Sequence, residues 1–291
     1  MPLIIQHQVN RNKPTKNGEF LRHRSSGFTL IEIIIVMVIL SVLSIGSIQF
    51  ISFSAQGYVD TVRRSELAAS ATVINEKITR VLREALPGSV RVNATQSCIE
   101  FIPIVGASTY INAPFSSPES TVTAINLDSL LQSDGRLAIY PVVSDINELY
   151  TLSGTQGYIS TQTVSATVLA DEITFTFNGG SVFRFEKNSP QKRLYVVDQP
   201  NAFCQVADHI FYYRNYGFVG DINNLIASLP STVPNRLLIG KGVVANSLVF
   251  NYLPSSLRRN ALVTYELQLQ DDSNASEIHS INQEVQIRNV P

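Results

Sequence analysis

The chain of 291 residues is poor in the side chains most used for catalysis and metal binding, with four histidines and two cysteines. His7 and His23 precede the first long apolar run, and His209 and His279 fall in strand-like stretches, where a core or surface position is the ordinary reading. No G-x-S-x-G, H-E-x-x-H, P-loop or G-x-G-x-x-G pattern occurs. The sequence therefore offers no catalytic residue, cofactor site or metal site, and the expectation is a protein that is not an enzyme. Charge is missing too: Ile33 to Phe53 is 21 residues without a formal charge, and no Lys or Arg occurs between Arg24 and Arg63. An A-x-A-like site after this run is also missing, which excludes an ordinary secretory signal and leaves the apolar run in the mature protein.

What is present is an apolar run that would form a helix of roughly 31 Å, about one bilayer core, and it reads as membrane-spanning. Glu32 lies just ahead of it. A carboxylate costs on the order of 3 kcal/mol near the middle of such a helix and less near its end, so its default reading is functional and it calls for a cationic partner. None follows in sequence before Arg63. Cutting the bond between Gly27 and Phe28 would create one, because Phe28 would then carry a free α-amine.

Gly27-Phe28-Thr29-Leu30-Ile31-Glu32, followed by an aliphatic helix, resembles the processing signal of type IV pilins and type II secretion pseudopilins. The resemblance implies that a membrane-embedded prepilin peptidase cuts after Gly27 and methylates Phe28. It implies that Glu32 is the subunit-assembly residue, pairing with the terminal amine of a neighbouring copy. The implied partners are that peptidase, other major and minor pilins, an inner-membrane assembly platform, and membrane lipid before assembly.

Residues 1–27 carry Arg11, Lys13, Lys16, Arg22 and Arg24 against Glu19, so this leader stays cytoplasmic and the later chain is exported. The expected location is a single pass through the inner membrane of a Gram-negative bacterium with a periplasmic head, then a filament at the cell surface. Loss of the leader leaves 17 basic against 22 acidic residues, a net charge of −5, so no nucleic-acid partner is expected.

The expected organisation is a leader (1–27), a transmembrane or filament-core helix (28–53), an amphipathic continuation (54–86) and a β-rich head (87–291). Val59, Val62, Leu67, Ile74, Ile78, Val81, Leu82 and Ala85 supply the apolar side of the continuation, most regularly from Ile74. Pro87-Gly88 ends it. Strands are expected at 89–92, 98–102, 192–197, 209–213 and 261–270, with a last one ending near Ile287; Pro103 makes the second an edge or a strand end. Residues 106–157 read as loop-rich, and Glu172–Phe185 reads as a hairpin turning at Asn178-Gly-Gly180. The fold class is α+β: a pilin-like long helix packed on an antiparallel sheet.

Cys98 and Cys204 both lie in the exported part, where an even count favours a disulfide. Weaker candidates are a calcium-ligating turn at Asp271, Asp272 and Asn274, and an aromatic cluster of Tyr212, Tyr213, Tyr216 and Phe218 that could meet sugars or a partner. An ordinary turn and a core role are the expected readings of these. Asn93-Ala-Thr and Asn274-Ala-Ser match the glycosylation pattern, which is common by chance. Arg83–Val92, Cys98–Ile104 and Val285–Pro291 further resemble minor pilins of the mannose-sensitive haemagglutinin (MSHA) pilus, which implies a low-copy subunit. Gln49 stands where many major pilins have Pro. The rival readings are a type II secretion pseudopilin and a membrane-anchored periplasmic adhesin or binding protein.

Overall fold

The computed structural model describes residues 27–127, 135–255, 259–271 and 277–287. The chain divides into two units, Met1–Tyr58 and Val59–Pro291. Helix α1 (Leu30–Leu82) runs through the division. In the first unit its apolar side chains are exposed, from Leu30 to Phe53, and α1 is long and apolar enough to cross a membrane. The expected leader lies outside the described residues up to position 26.

In the second unit α1 buries Ala71, Ile74, Ile78, Val81 and Leu82, spaced so that they share one face. Val59 and Val62, expected on that face, stay exposed; Leu67 is half-buried and marks where packing begins. The helix expected to reach Leu86 ends at Leu82. Glu84 and Ala85 donate to carbonyls three residues back, both at 3.2 Å. Then Leu86 N–H bonds the Ile102 carbonyl at 2.7 Å, and Ile104 N–H bonds the Glu84 carbonyl at 2.8 Å. Leu86 precedes Pro87, which disfavours helical geometry there, and strand-like pairing satisfies the freed groups instead.

Sixteen strands follow in the described residues. In chain order they are β1 (Arg91–Val92), β2 (Cys98–Phe101), β3 (Ile104–Asn112), β4 (Thr121–Ile125), β5 (Arg136–Ala138), β6 (Gln156–Gly157), β7 (Val164–Leu169) and β8 (Glu172–Phe177). The rest are β9 (Arg184–Phe185), β10 (Arg193–Val197), β11 (Asn201–Val206), β12 (His209–Tyr213), β13 (Arg236–Lys241), β14 (Val249–Leu253), β15 (Ala261–Gln270) and β16 (Ile278–Ile287). A five-stranded sheet, β1-β2-β11-β12-β13, and a three-stranded sheet, β14-β15-β16, pack on residues 67–82 of α1. Their shared core includes Ile74, Ile78, Phe101, Phe203, Phe250 and Tyr265. On β15 Val263, Tyr265, Leu267 and Leu269 are buried as their alternation requires. A six-stranded sheet, β5-β10-β3-β4-β8-β7, closes over Phe175, Phe177, Phe183 and Phe185. A long apolar helix followed by antiparallel sheets is an α+β, pilin-like architecture.

The stretch 106–157 is loop-rich as expected, but it also supplies most of β3 and all of β4, β5 and β6. One expectation fails. The stretch 172–185 is not a hairpin, because β8 pairs with β4 and β7 while β9 pairs in parallel with β6. Both edges of β8 are occupied, and the chain after Gly180 turns into the aromatic core. There the ring of Phe183 lies 5.8 Å from that of Phe177 and 5.2 Å from that of Phe185.

Candidate functional site

Thr29, Leu30, Ile31 and Glu32 have the spacing of a capping box, with a hydroxyl at the N-cap and a carboxylate three residues on. The Glu32 N–H lies 3.3 Å from the Thr29 hydroxyl and 3.1 Å from the Thr29 carbonyl. Thr29 thereby fixes the first turn of α1, and Glu32 enters that turn where the helix dipole favours an anion. Gly27, Phe28 and Thr29 precede the helix, so the Gly27–Phe28 bond is not locked into helical hydrogen bonding. Phe28 is 78% exposed, and nothing lies within 4 Å of where a Cβ on Gly27 would stand. Among the described residues no ion pair involves Glu32. Within α1, the Ser41, Ser44 and Ser47 hydroxyls donate to the carbonyls of Met37, Leu40 and Leu43 at 2.7–2.8 Å, so these polar side chains are satisfied inside an apolar stretch.

Residues 22–48 match the family described as the prokaryotic N-terminal methylation motif. The match supports a type IV pilin-like protein. The motif implies processing by a prepilin peptidase and assembly with other pilins, and with the apolar helix it is consistent with a membrane-anchored pilin. No curated protein and no solved structure matches the chain. Gly27, Phe28 and Glu32, singled out from the sequence, all fall inside the matched segment.

The second unit of this pilin-like chain holds the expected disulfide between Cys98 and Cys204. The two residues are direct partners across β2 and β11, with Cα atoms 4.2 Å apart. Gln205 N–H bonds the Ser97 carbonyl at 3.0 Å, which makes the neighbouring cysteine pair a non-hydrogen-bonded one, the kind whose side chains stand closest.

The sequence reading missed a buried ion pair. Arg91 and Glu100 are 3% and 0% exposed and face each other across β1 and β2. Arg91 Nε lies 2.7 Å from Glu100 Oε2. Its Nη1 donates to Asn147 Oδ1 and to the Gly220 carbonyl, each at 2.8 Å, and its Nη2 donates to the Val219 carbonyl. The guanidinium also covers the Tyr150 ring at 3.5 Å. Tyr216 donates its hydroxyl to Glu100 Oε1 at 2.9 Å. Burial pushes the Glu100 carboxyl above its ordinary value, against the opposing pull of Arg91, and burial also raises the hydroxyls of Tyr150 and Tyr216 well above theirs. Each nitrogen of the guanidinium has a protein partner, so the network ties β1, β2, the 3-10 turn Ile146–Tyr150 and the 219–220 loop together. A signal existed: two opposite charges flank a short turn, and a hairpin there sets them directly opposite.

The weaker candidates do not form a site. Tyr212 and Tyr213 bury in different clusters, Tyr216 holds Glu100, and Phe218 packs on Tyr150 at 6.5 Å. His209 lies 2.7 Å from Asp208, and His279 lies across from Leu269 on β15. Asn93 is buried, 6% exposed, and uses its side chain on Cys98 N–H and Thr95. Of the calcium candidates, Asp272 and Asn274 lie outside the described residues. Among the described residues no group of three or more His, Cys, Asp or Glu could hold a metal ion.

Proposed function

We propose that this chain is a minor type IV pilin of the MSHA type, similar to MshO proteins, that acts by assembly rather than catalysis. Prepilin peptidase cuts after Gly27 and methylates Phe28, and the helix that begins at Leu30 holds the subunit in the inner membrane until it joins a filament. One observation carries this reading: Glu32 is the single formal charge between Phe28 and Val59, and it lies inside the matched segment, four residues after Phe28. Its cost in the apolar phase, on the order of 3 kcal/mol on insertion scales, is offset by a cation. Two unit charges about 4 Å apart attract by about 4 kcal/mol even at an effective dielectric near 20. Gly27 cleavage supplies that cation on a neighbouring subunit, so the pair forms only between processed molecules. The MSHA assignment rests on the resemblance of Arg83–Val92, Cys98–Ile104 and Val285–Pro291, and Gln49 at the usual proline place counts against a major pilin. A low-copy subunit of this kind would help start or cap the filament and support surface attachment.

Mass analysis of protein from cells tests the processing step: the expected amino terminus is N-methylated Phe28, and an unmodified terminus upstream of Gly27 overturns it. Glu32→Gln should leave cleavage largely intact and lower recovery of the subunit in sheared filaments about tenfold, the effect of losing about 1.4 kcal/mol. Undiminished incorporation would remove Glu32 from the mechanism. A type II pseudopilin would share the motif and the pairing; a secretion defect with normal piliation in a deletion strain would favour it.

A further inference from the structure

Beside the Arg91–Glu100 pair, the second unit has a groove of about 880 Å³ lined by β1, β14 and the segment 141–146. Both strands are the end members of their sheets, and their backbone phase can be read from two bonds. Asn93 N–H bonds the Cys98 carbonyl at 3.1 Å, so Val92, one residue earlier, turns its N–H and C=O away from β2. Phe250 N–H bonds the Gln96 carbonyl at 2.8 Å, outside the β14–β15 ladder. Two residues on, Tyr252 therefore also turns its backbone groups away from β15. No described residue bonds the outward groups of Val92 or Tyr252. Two strand edges with unbonded outward groups at Val92 and Tyr252, lining one concavity, form a template for an added strand.

The lining fixes the chemistry of the occupant. Val142, Val143 and Ile146 present apolar surface, and the Arg91 guanidinium is already spent on its own partners. Asp145 is the exposed charge; its Oδ1 accepts the Asn147 N–H at 3.0 Å, which leaves Oδ2 for a cation. β14 spans about 17 Å, and because Gln96 already takes the Phe250 N–H, Tyr252 is the position on its edge that a short extended segment would pair with.

We propose that this groove takes an extended segment of a partner protein, apolar at alternate positions and carrying Lys or Arg at the end that meets Asp145. The segment pairs with Val92 and Tyr252 and joins the two sheets. The inference concerns the second unit alone and does not depend on processing at Gly27.

The test uses the full chain in detergent micelles and a fluorescent synthetic peptide of alternating Val and Thr ending in Lys, with empty micelles as the blank. Saturable binding is expected, with slowed amide exchange at Val92 and Tyr252. Val92→Pro removes one outward N–H and leaves the β1–β2 ladder intact, since proline is tolerated where the N–H faces away from the sheet. It should weaken binding about fivefold, the effect of one net hydrogen bond. A probe N-methylated at alternate amides makes the same deletion on the ligand side and reads the pairing even where the variant misfolds. No saturable binding to the intact chain, binding that N-methylation leaves unchanged, or equal affinity for probes ending in Lys and Glu would overturn the proposal.

Discussion

At the scale of single residues, two carboxylates stand out, and they differ in their surroundings. Glu32 has an uncharged apolar neighbourhood, so its anomaly is local and stands out in the sequence. Glu100 is compensated by Arg91, a residue nine positions away that becomes its neighbour only when the hairpin closes. The network gives Glu100 a definite pH signature. Its folded carboxyl holds a proton more tightly than the ordinary value of 4.5, chiefly through burial. Between that value and the raised one the folded state binds the extra proton, so the stability it contributes is present at low pH and lost as pH rises through this window. Arg91→Met leaves Glu100 buried without its counter-charge and should cost about 3–5 kcal/mol at pH 7. At the acid end of the window Glu100 is protonated and the same substitution should cost clearly less. Equal losses at both pH values in chemical denaturation would mean that Glu100 is not the group left uncompensated.

At the scale of elements, the contact between α1 and β13 is the tightest test of the fold. A Cβ on Gly240 would collide with Cδ1 of Ile74 and stand 2.8 Å from its Cγ1. Gly240→Ala should therefore destabilise by about 1–3 kcal/mol through overpacking. In an Ile74→Ala background the same change should cost little, because the colliding atoms are gone; additive losses in that double-mutant cycle would show that the glycine serves something other than this contact. Legibility follows the same line between local and non-local causes. The strand 261–270 could be read because each second residue is buried and the alternation is unbroken. The apolar side of α1 was clear only from Ile74, and its burial indeed thins toward Val59. β3 hid because its burial alternates without an apolar alternation to announce it: the inward positions include Gly106 and Ser108, while Val105 and Ile111 face outward. The Asn178-Gly-Gly180 turn misled for the opposite reason: its local signal is strong, but β4 and β7 already hold the edges of β8. Cys98 and Cys204 could be paired by compartment and count, whereas their cross-strand register could not be read until β11 was placed.

At the scale of the molecule, the two units answer to different solvents. The described part of the first keeps Ile33, Leu40, Leu43, Phe50 and Phe53 open, a continuous apolar surface far larger than a water-soluble domain exposes. The second carries its own cores and a disulfide whose cysteines lie 106 positions apart. On the chain-entropy account, closing a loop of that length contributes about 4–5 kcal/mol to folding. Residues 59–291, exported to an oxidising compartment behind a cleavable signal, should thus be recovered soluble and without detergent. The cysteines should resist alkylation until a reductant is added, and a cooperative thermal transition should fall to lower temperature once it is. The full chain should require detergent or lipid throughout. Aggregation of the 59–291 fragment under oxidising conditions, or a full chain that stays dispersed in plain buffer, would contradict the assignment of membrane contact to the first unit and independent folding to the second.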